Sequence, residues 1–162
     1  MHLSTITASL LGLAAFAGAA PSLQPWEISR LSTFSPSGRP AESPWSIINV
    51  TISDPNDVAL PVTFCATKWT FEKPPYGIVN NCSEVAGGQW RFVMLESEGE
   101  HSSPTTDFRL RFELQRGEET YVGTEKFVVG ENLWGLCSAS GVCSFGLKEE
   151  QTPFPVKQVL VQ

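Results

Sequence analysis

The 162-residue chain contains little histidine and no excess of basic residues. It has two histidines, and its 11 Lys and Arg residues stand against 17 Asp and Glu residues, so the formal net charge is -6. A negative surface disfavours binding to nucleic acids and to anionic membranes. Neither is therefore expected as a partner.

The sequence also lacks the common signatures of hydrolytic catalysis. It contains no G-x-S-x-G motif, and His101, the only histidine beyond the N-terminal segment, lies in the polar stretch SEGEHSSPTT. A nucleophilic serine or cysteine needs a neighbouring base. A glycosidase needs only two carboxylates, which leaves that class open, although a solvated acidic loop is the favoured interpretation of Glu96, Glu98, Glu100 and Asp107. We expect a protein that is not an enzyme and has no cofactor.

No apolar run is long enough to span a bilayer, which takes about 20 residues. The N-terminal segment MHLSTITASLLGLAAFAGAA has a short apolar centre followed by small residues, which is typical of a secretory signal peptide. The triplet Ala17-Gly18-Ala19 predicts cleavage after Ala19. We therefore expect a signal peptide at residues 1–19, a single domain at residues 20–162, and an extracellular location.

All four cysteines, Cys65, Cys82, Cys137 and Cys143, lie beyond this segment. An even number of cysteines in a secreted chain predicts disulfides. The spacings C-x16-C and C-x5-C lack the C-x2-C pairs common in zinc sites and in thioredoxin-like redox centres, so no metal is expected. Of the three pairings, we predict Cys65 with Cys82 and Cys137 with Cys143, because each closes a local loop.

In a secreted chain, N-glycosylation sequons are candidate modification sites. Two are present, at Asn49-Val50-Thr51 and Asn81-Cys82-Ser83. Asn49 lies in an alternating segment whose apolar residues share the opposite face, so its side chain is expected to point to solvent. Asn81 ranks lower because cysteine occupies the middle position of its sequon.

Alternating apolar and polar residues predict strands throughout the chain. The clearest case is DFRLRFELQ, residues 107–115, followed by the turn RGEE and a returning strand, TYVGTEKFVV. Further strands are predicted at WEISRLSTF, WSIINVTIS, ALPVTFCATKW, GQWRFVMLE and PVKQVLVQ, and the DPND stretch between two of them is predicted to be a turn. The fold class is all-β: a single small antiparallel β-barrel or sandwich of about seven to eight or more strands.

Three aromatic residues are candidate binding residues: Trp69, Tyr76 and Trp134. Trp69 and Tyr76 lie between Cys65 and Cys82, in a stretch that a disulfide would restrain. Rigid aromatic loops suit recognition because they present a large contact area at a small entropic cost. The favoured interpretation places Trp69 and Phe71 in the core and leaves Tyr76 exposed, whereas Trp134 either packs on a disulfide or contacts a partner.

The chain resembles a family of fungal secreted proteins similar to the major Alternaria allergen. The likeness lies in the alanine-rich leader, WEISRLSTF, TFCATKW, the cysteine of NNCS, a central Trp-Arg-Phe strand and the late cysteine pair. The resemblance implies a small β-barrel with the same two disulfides, and an extracellular protein that acts as an effector, elicitor or allergen. The allergen has an additional N-terminal cysteine that joins two subunits, and residues 20–64 here contain none. A monomer or a non-covalent dimer is therefore expected.

The leading hypothesis is a secreted fungal protein that binds a plant or other extracellular protein through loops on a β scaffold. A carrier of a small apolar ligand and an extracellular glycan-binding protein are the alternatives. A carrier needs space between its strands, and ten phenylalanines and five tryptophans favour a filled interior instead. A glycan-binding protein would use Trp69, Tyr76 and Trp134 as a stacking platform.

Overall fold

The structure, a computed structural model, describes residues 23–40, 42–98 and 102–161. The predicted signal peptide at residues 1–19, together with Glu100 and His101, lies outside these residues. No helix among the described residues is long and apolar enough to cross a membrane.

Strands dominate the described residues, which also contain one short 3₁₀ turn. The strands are β1 (Trp26–Ser35), β2 (Trp45–Ser53), β3 (Thr63–Thr70), β4 (Val79–Asn81), β5 (Gln89–Glu96), β6 (Asp107–Arg116), β7 (Glu119–Val128), β8 (Leu133–Cys137), β9 (Cys143–Leu147), β10 (Phe154–Val156) and β11 (Gln158–Leu160), and the 3₁₀ turn is Glu149–Gln151. The all-β prediction is confirmed. PVKQVLVQ, predicted as one strand, forms β10 and β11, and β4, β8 and β9 are additional to the segments predicted.

Two antiparallel sheets form the molecule. Sheet I has the order β3-β2-β1-β9-β8, and β10 pairs with the beginning of β1. Sheet II has the order β11-β7-β6-β5-β4. Within the described residues the two sheets are separate and do not close into a barrel, so the sandwich alternative is correct and the barrel implied by the resemblance is not observed.

The core lies between the two sheets and follows from the alternation of the strands. In β6, Phe108, Leu110, Phe112 and Leu114 are fully buried, whereas the intervening residues lie on the opposite face. Aromatic rings fill much of the interior, and the Trp26 and Trp90 rings meet edge to face with their centroids 4.7 Å apart. Edge-to-face contacts of this kind stabilise aromatic pairs beyond the burial of area.

Each side of the sandwich has its own connection between the sheets. On one side, the Cys65–Cys82 disulfide joins β3 of sheet I to the residue after β4 of sheet II. The Ser83 backbone N–H also donates to the Phe64 carbonyl over 2.8 Å. On the other side, the chain passes from β10 in sheet I to β11 in sheet II at Lys157. Covalent links therefore restrain both sides.

The DPND segment forms the predicted turn and also carries a buried ion pair. The Asp54 carboxylate accepts hydrogen bonds from the Asn56 backbone N–H over 2.8 Å and from the Asn56 side-chain amide over 2.7 Å. Arg116, at the end of β6, forms an ion pair with Asp54, whose side chain is only 4% exposed. The pair connects the turn after β2 in sheet I to sheet II.

Glu125 is an acidic residue on the inward-facing side of β7. Its neighbours on this side of the strand are the buried residues Gly123 and Phe127, and it pairs across the sheet with the buried Leu110. Burial raises the pKa of Glu125 above its ordinary value, while a hydrogen bond from the Lys157 backbone N–H acts in the opposite direction. The folded protein therefore holds the Glu125 proton more tightly than the unfolded chain.

Replacing Glu125 with glutamine is expected to increase stability at neutral pH. The folded-state pKa lies above the unfolded one, so the wild-type protein loses stability as the pH rises from the ordinary glutamate pKa through the raised value. Glutamine has the same shape and does not ionise. Urea unfolding should therefore show a higher midpoint for Glu125→Gln at about pH 7 and little difference at about pH 4. Glu118→Gln, in the exposed turn between β6 and β7, is the control, and an equal gain there would contradict the assignment.

Candidate functional site

The loop between β3 and β4, residues 71–78, presents an aromatic side chain almost completely to solvent. Phe71, at the start of the loop, is 97% exposed, and Ile78 at its end and Val79 at the start of β4 are also exposed. Such a large apolar side chain gains nothing from the core of its own chain, and exposed apolar groups that cluster mark interaction sites. We call residues 71–78 the aromatic loop.

The second half of the aromatic loop is held against the body of the protein, although Phe71 at its start is exposed. Pro75 is buried, and the Gly77 N–H donates to the Met94 carbonyl of β5 over 2.9 Å. Gly77 has a φ of 72°, a left-handed conformation that side chains other than glycine rarely adopt. Together with the Cys65–Cys82 disulfide, these contacts restrain the second half of the loop, and a hydrogen bond from the Lys73 N–H to the Thr70 carbonyl closes the turn that contains Phe71.

Tyr76 connects the aromatic loop to the body of the protein. It packs against the core cluster, and its hydroxyl lies 3.3 Å from the Ser102 hydroxyl. Burial raises the pKa of Tyr76 above its ordinary value. Tyr76 is thus partly buried, and the most exposed aromatic side chain of this loop is Phe71, not Tyr76 as the sequence predicts. A binding role for Tyr76 stays a prediction.

Trp69 and Phe71, two residues apart in the sequence, have opposite environments in the structure. Trp69 is 4% exposed and belongs to the core, so it is not available as a binding residue. The expectation that Phe71 continues the strand inward is wrong, because β3 ends at Thr70 and a turn follows, closed by a hydrogen bond from the Lys73 N–H to the Thr70 carbonyl over 3.0 Å. The turn interrupts the alternation immediately after Trp69.

A second exposed apolar surface lies at the free edge of sheet I. Trp134 and Leu136, on β8, are 64% and 70% exposed. They border an open groove of about 1170 Å³ whose other side includes Arg30 and Ser32 of β1. Ser144 and Gly146 of β9 lie between these two strands and line the groove. We call it the Trp134 groove.

Trp134 is held in place by a short disulfide-closed hairpin. Cys137 pairs with Cys143 in the ladder between β8 and β9 and is joined to it by the predicted disulfide. Gly135 permits the close approach of the two strands, since a Cβ atom at this position would collide with the Ser144 carbonyl oxygen. Trp134 thus occupies the outer face and does not pack in the core.

Two of the acidic residues considered for glycosidase chemistry, Glu98 and Asp107, form ion pairs at the surface. Glu98 pairs with Arg109 at 3.2 Å, and Asp107 with Lys126 at 3.5 Å. The Arg109 Nε–H also donates to the Glu96 main-chain carbonyl over 3.0 Å. No group of three or more potential metal ligands is found among the described residues. These contacts support the interpretation of a solvated acidic segment.

The predicted modification sites both lie on strands. Asn49 is on the outer face of β2, opposite the buried residues Ile48 and Val50, as the alternation predicts. Asn81 is exposed at the end of β4, next to the disulfide-bonded Cys82. Glycosylation at either position stays a prediction.

Comparisons with known proteins give no assignment. No protein-family model, no curated protein and no solved structure matches the chain.

Proposed function

We propose that the chain is a secreted, non-enzymatic protein of the kind that fungi release at the host interface, and that it binds a plant or other extracellular protein. The observation that carries the proposal is Phe71, 97% exposed on a loop restrained by a disulfide. Protein interfaces depend on a few large side chains of this type, which fill a pocket on the partner.

The rigidity of the aromatic loop supports this function. Ordering a flexible segment on binding costs free energy, and a loop already held in one conformation avoids most of that cost. The Cys65–Cys82 disulfide and the hydrogen bond from Gly77 to Met94 hold the loop before a partner arrives. Two disulfides are also in keeping with an oxidising extracellular compartment.

The packing of the core favours this function over that of an apolar ligand carrier. Trp26, Trp90, Phe92, Phe108 and Phe127 are fully buried between the sheets, and the Phe108 and Phe127 rings stack at 5.7 Å. A carrier needs that space for its ligand. The platform of three aromatic residues imagined for glycan binding is also absent, because Trp69 and Tyr76 pack into the body of the protein.

The test is the contribution of Phe71 to partner binding. Disulfide-intact protein should capture one or more proteins from plant apoplastic fluid, and Phe71→Ala should weaken that binding by about 30-fold, the loss typical of a central anchor residue. The affinity is measured with the purified captured protein. Stability should hardly change, because Phe71 makes no core contact.

Val58→Ala is the matched control, because Val58 is 99% exposed in a different loop. It should leave the affinity unchanged. Equal binding by the wild-type protein and Phe71→Ala, or failure of the wild-type protein to capture any apoplastic protein, would contradict the proposed function.

A further inference from the structure

A row of cross-strand neighbours connects a glycosylation sequon to the Trp134 groove. On the outer face of sheet I, Asn49 pairs with Ser32, Ser32 with Gly146, and Gly146 with Trp134. On its other side Asn49 pairs with Ala66. The row therefore runs without interruption from the sequon on β2 to the indole ring on β8.

The side chains along this row are small, so they leave a shallow path across the sheet. Ser32 and Gly146 separate Asn49 from Trp134, and both residues line the groove. The next row carries larger side chains at all but one position: Leu136, the small Ser144, and then Phe34, Ile47 and Lys68 succeed one another across the same strands. An oligosaccharide attached at Asn49 can thus reach Trp134 along the row of small side chains, beside the row of larger ones.

The distance fits a core oligosaccharide. Three strand-to-strand steps separate Asn49 from Trp134, or about 14 Å at the usual strand spacing, which a few linked sugar units span. We infer that an N-linked glycan on Asn49 lies along this row and occupies the Trp134 groove. The inference rests on the secretion that the proposed function assumes.

The chemistry of the groove suits a sugar. A pyranose ring has an apolar face that packs on an indole ring, and Trp134 offers its ring 64% exposed. Hydroxyl groups around the sugar ring need hydrogen-bonding partners, and Arg30, Ser32 and Ser144 provide polar groups in the same groove. An aromatic surface with nearby polar groups matches these requirements.

A glycan at this position would also protect an exposed apolar edge strand. β8 is an edge strand of sheet I, and it carries Trp134 and Leu136 exposed. An exposed apolar edge strand is a template for aggregation, and natural proteins usually cover or charge such edges. A glycan that crosses β1 and β9 to reach Trp134 would cover the apolar face of this edge strand and hinder the approach of a second strand.

The test compares secreted wild-type protein with Asn49→Gln, both produced in a fungal host. Intact-mass and peptide analysis should show a glycan on Asn49. Hydroxyl-radical footprinting should then modify Trp134 about three- to tenfold faster in Asn49→Gln than in the wild type, as expected when one stacking contact on an aromatic ring is lost. Phe71, on the distant aromatic loop, should be modified equally in both proteins.

A second variant tests the contact from the glycan side. Trp134→Ala should make native protein a faster substrate for an endoglycosidase that cleaves within the glycan core, whereas Phe71→Ala should not. Asn81→Gln controls for the second sequon and should leave the modification of Trp134 unchanged.

Three results would overturn the inference. An unmodified Asn49 in secreted protein is the first, and an occupied Asn49 with equal modification of Trp134 in both proteins is the second. The third is protection of Trp134 that persists in Asn49→Gln together with a dimeric mass, since a second copy of the chain would then cover the groove. Each of these leaves the binding function of Phe71 intact, whereas a chain retained in the cell with its leader uncleaved would remove both.

Discussion

Replacing Asp54 with alanine is expected to lower the free energy of unfolding by about 3 to 5 kcal/mol. The substitution removes the closer ion-pair partner of Arg116, whose side chain is only 21% exposed, and leaves it the Asp57 carboxylate at 3.9 Å. It also removes the acceptor of two hydrogen bonds from Asn56. Removing one member of a buried pair costs more than the pair contributes, because the remaining charge stays poorly solvated. The total stability of a domain is about 5 to 15 kcal/mol, so a large fraction would be lost.

Urea unfolding of purified protein measures this loss, and Glu98→Ala is the matched control. Glu98 also pairs with an arginine, but its side chain is 88% exposed, so the loss there should be below about 1 kcal/mol. Adding Arg116→Leu to Asp54→Ala should restore part of the stability, because a charge that has lost its closer partner is removed from a largely buried position. Equal losses for Asp54→Ala and Glu98→Ala would contradict the assignment.

Removal of the Cys65–Cys82 disulfide by two alanine substitutions is expected to cost about 3 kcal/mol or somewhat more. The two cysteines are 17 residues apart in the sequence. The chain-entropy model assigns about 3 kcal/mol to a disulfide that closes a loop of this length. Both cysteines are also buried in the core cluster, so the loss of their sulfur atoms reduces packing as well. The aromatic loop should become more mobile, since the closure of its ends is lost.

The Cys137–Cys143 disulfide gives the comparison. It closes a shorter loop, with a separation of 6 residues, and its removal should cost about 2 kcal/mol. Hydrogen exchange in residues 71–78 should accelerate only when Cys65 and Cys82 are replaced. An equal effect of both double substitutions on that loop would show that the disulfide is not what holds it.

The alternation of the sequence predicts much of the fold because burial in a sandwich repeats every two residues. It places Phe108, Leu110, Phe112 and Leu114 on one face of β6, and it directs Asn49 outward on β2. Cysteine spacing in an oxidised chain gave both disulfide pairs. These features depend on neighbouring residues or on a short list of pairings.

Other features depend on partners distant in sequence, which alternation does not encode. The segment from Leu133 to Leu147 is rich in glycine and serine, and its two strands form because β9 pairs with β1 and a disulfide closes the hairpin. PVKQVLVQ is interrupted at Lys157 because its two halves pair with different sheets. No local sequence pattern predicts either of these strand pairings.

The exposure of Phe71 is also not encoded by alternation. Its position two residues after Trp69 predicts the same face of a continuing strand, but the turn begins first. The adjoining Lys73-Pro74-Pro75 stretch was the available signal, since consecutive prolines are incompatible with a central strand. Aromatic residues directly before such a stretch are thus poorly placed by periodicity alone.

The pairing of β1 with strands from the end of the chain has a consequence for biosynthesis. β1 is the first described strand to be made, yet its beginning pairs with β10 and its end with β9, which are among the last. The Gln158 side chain adds to the same junction by accepting from the Trp26 backbone N–H and donating to the Gln24 carbonyl. During translation one edge of β1 therefore stays unpaired. The native fold can be completed only after the last strands of the chain emerge from the ribosome.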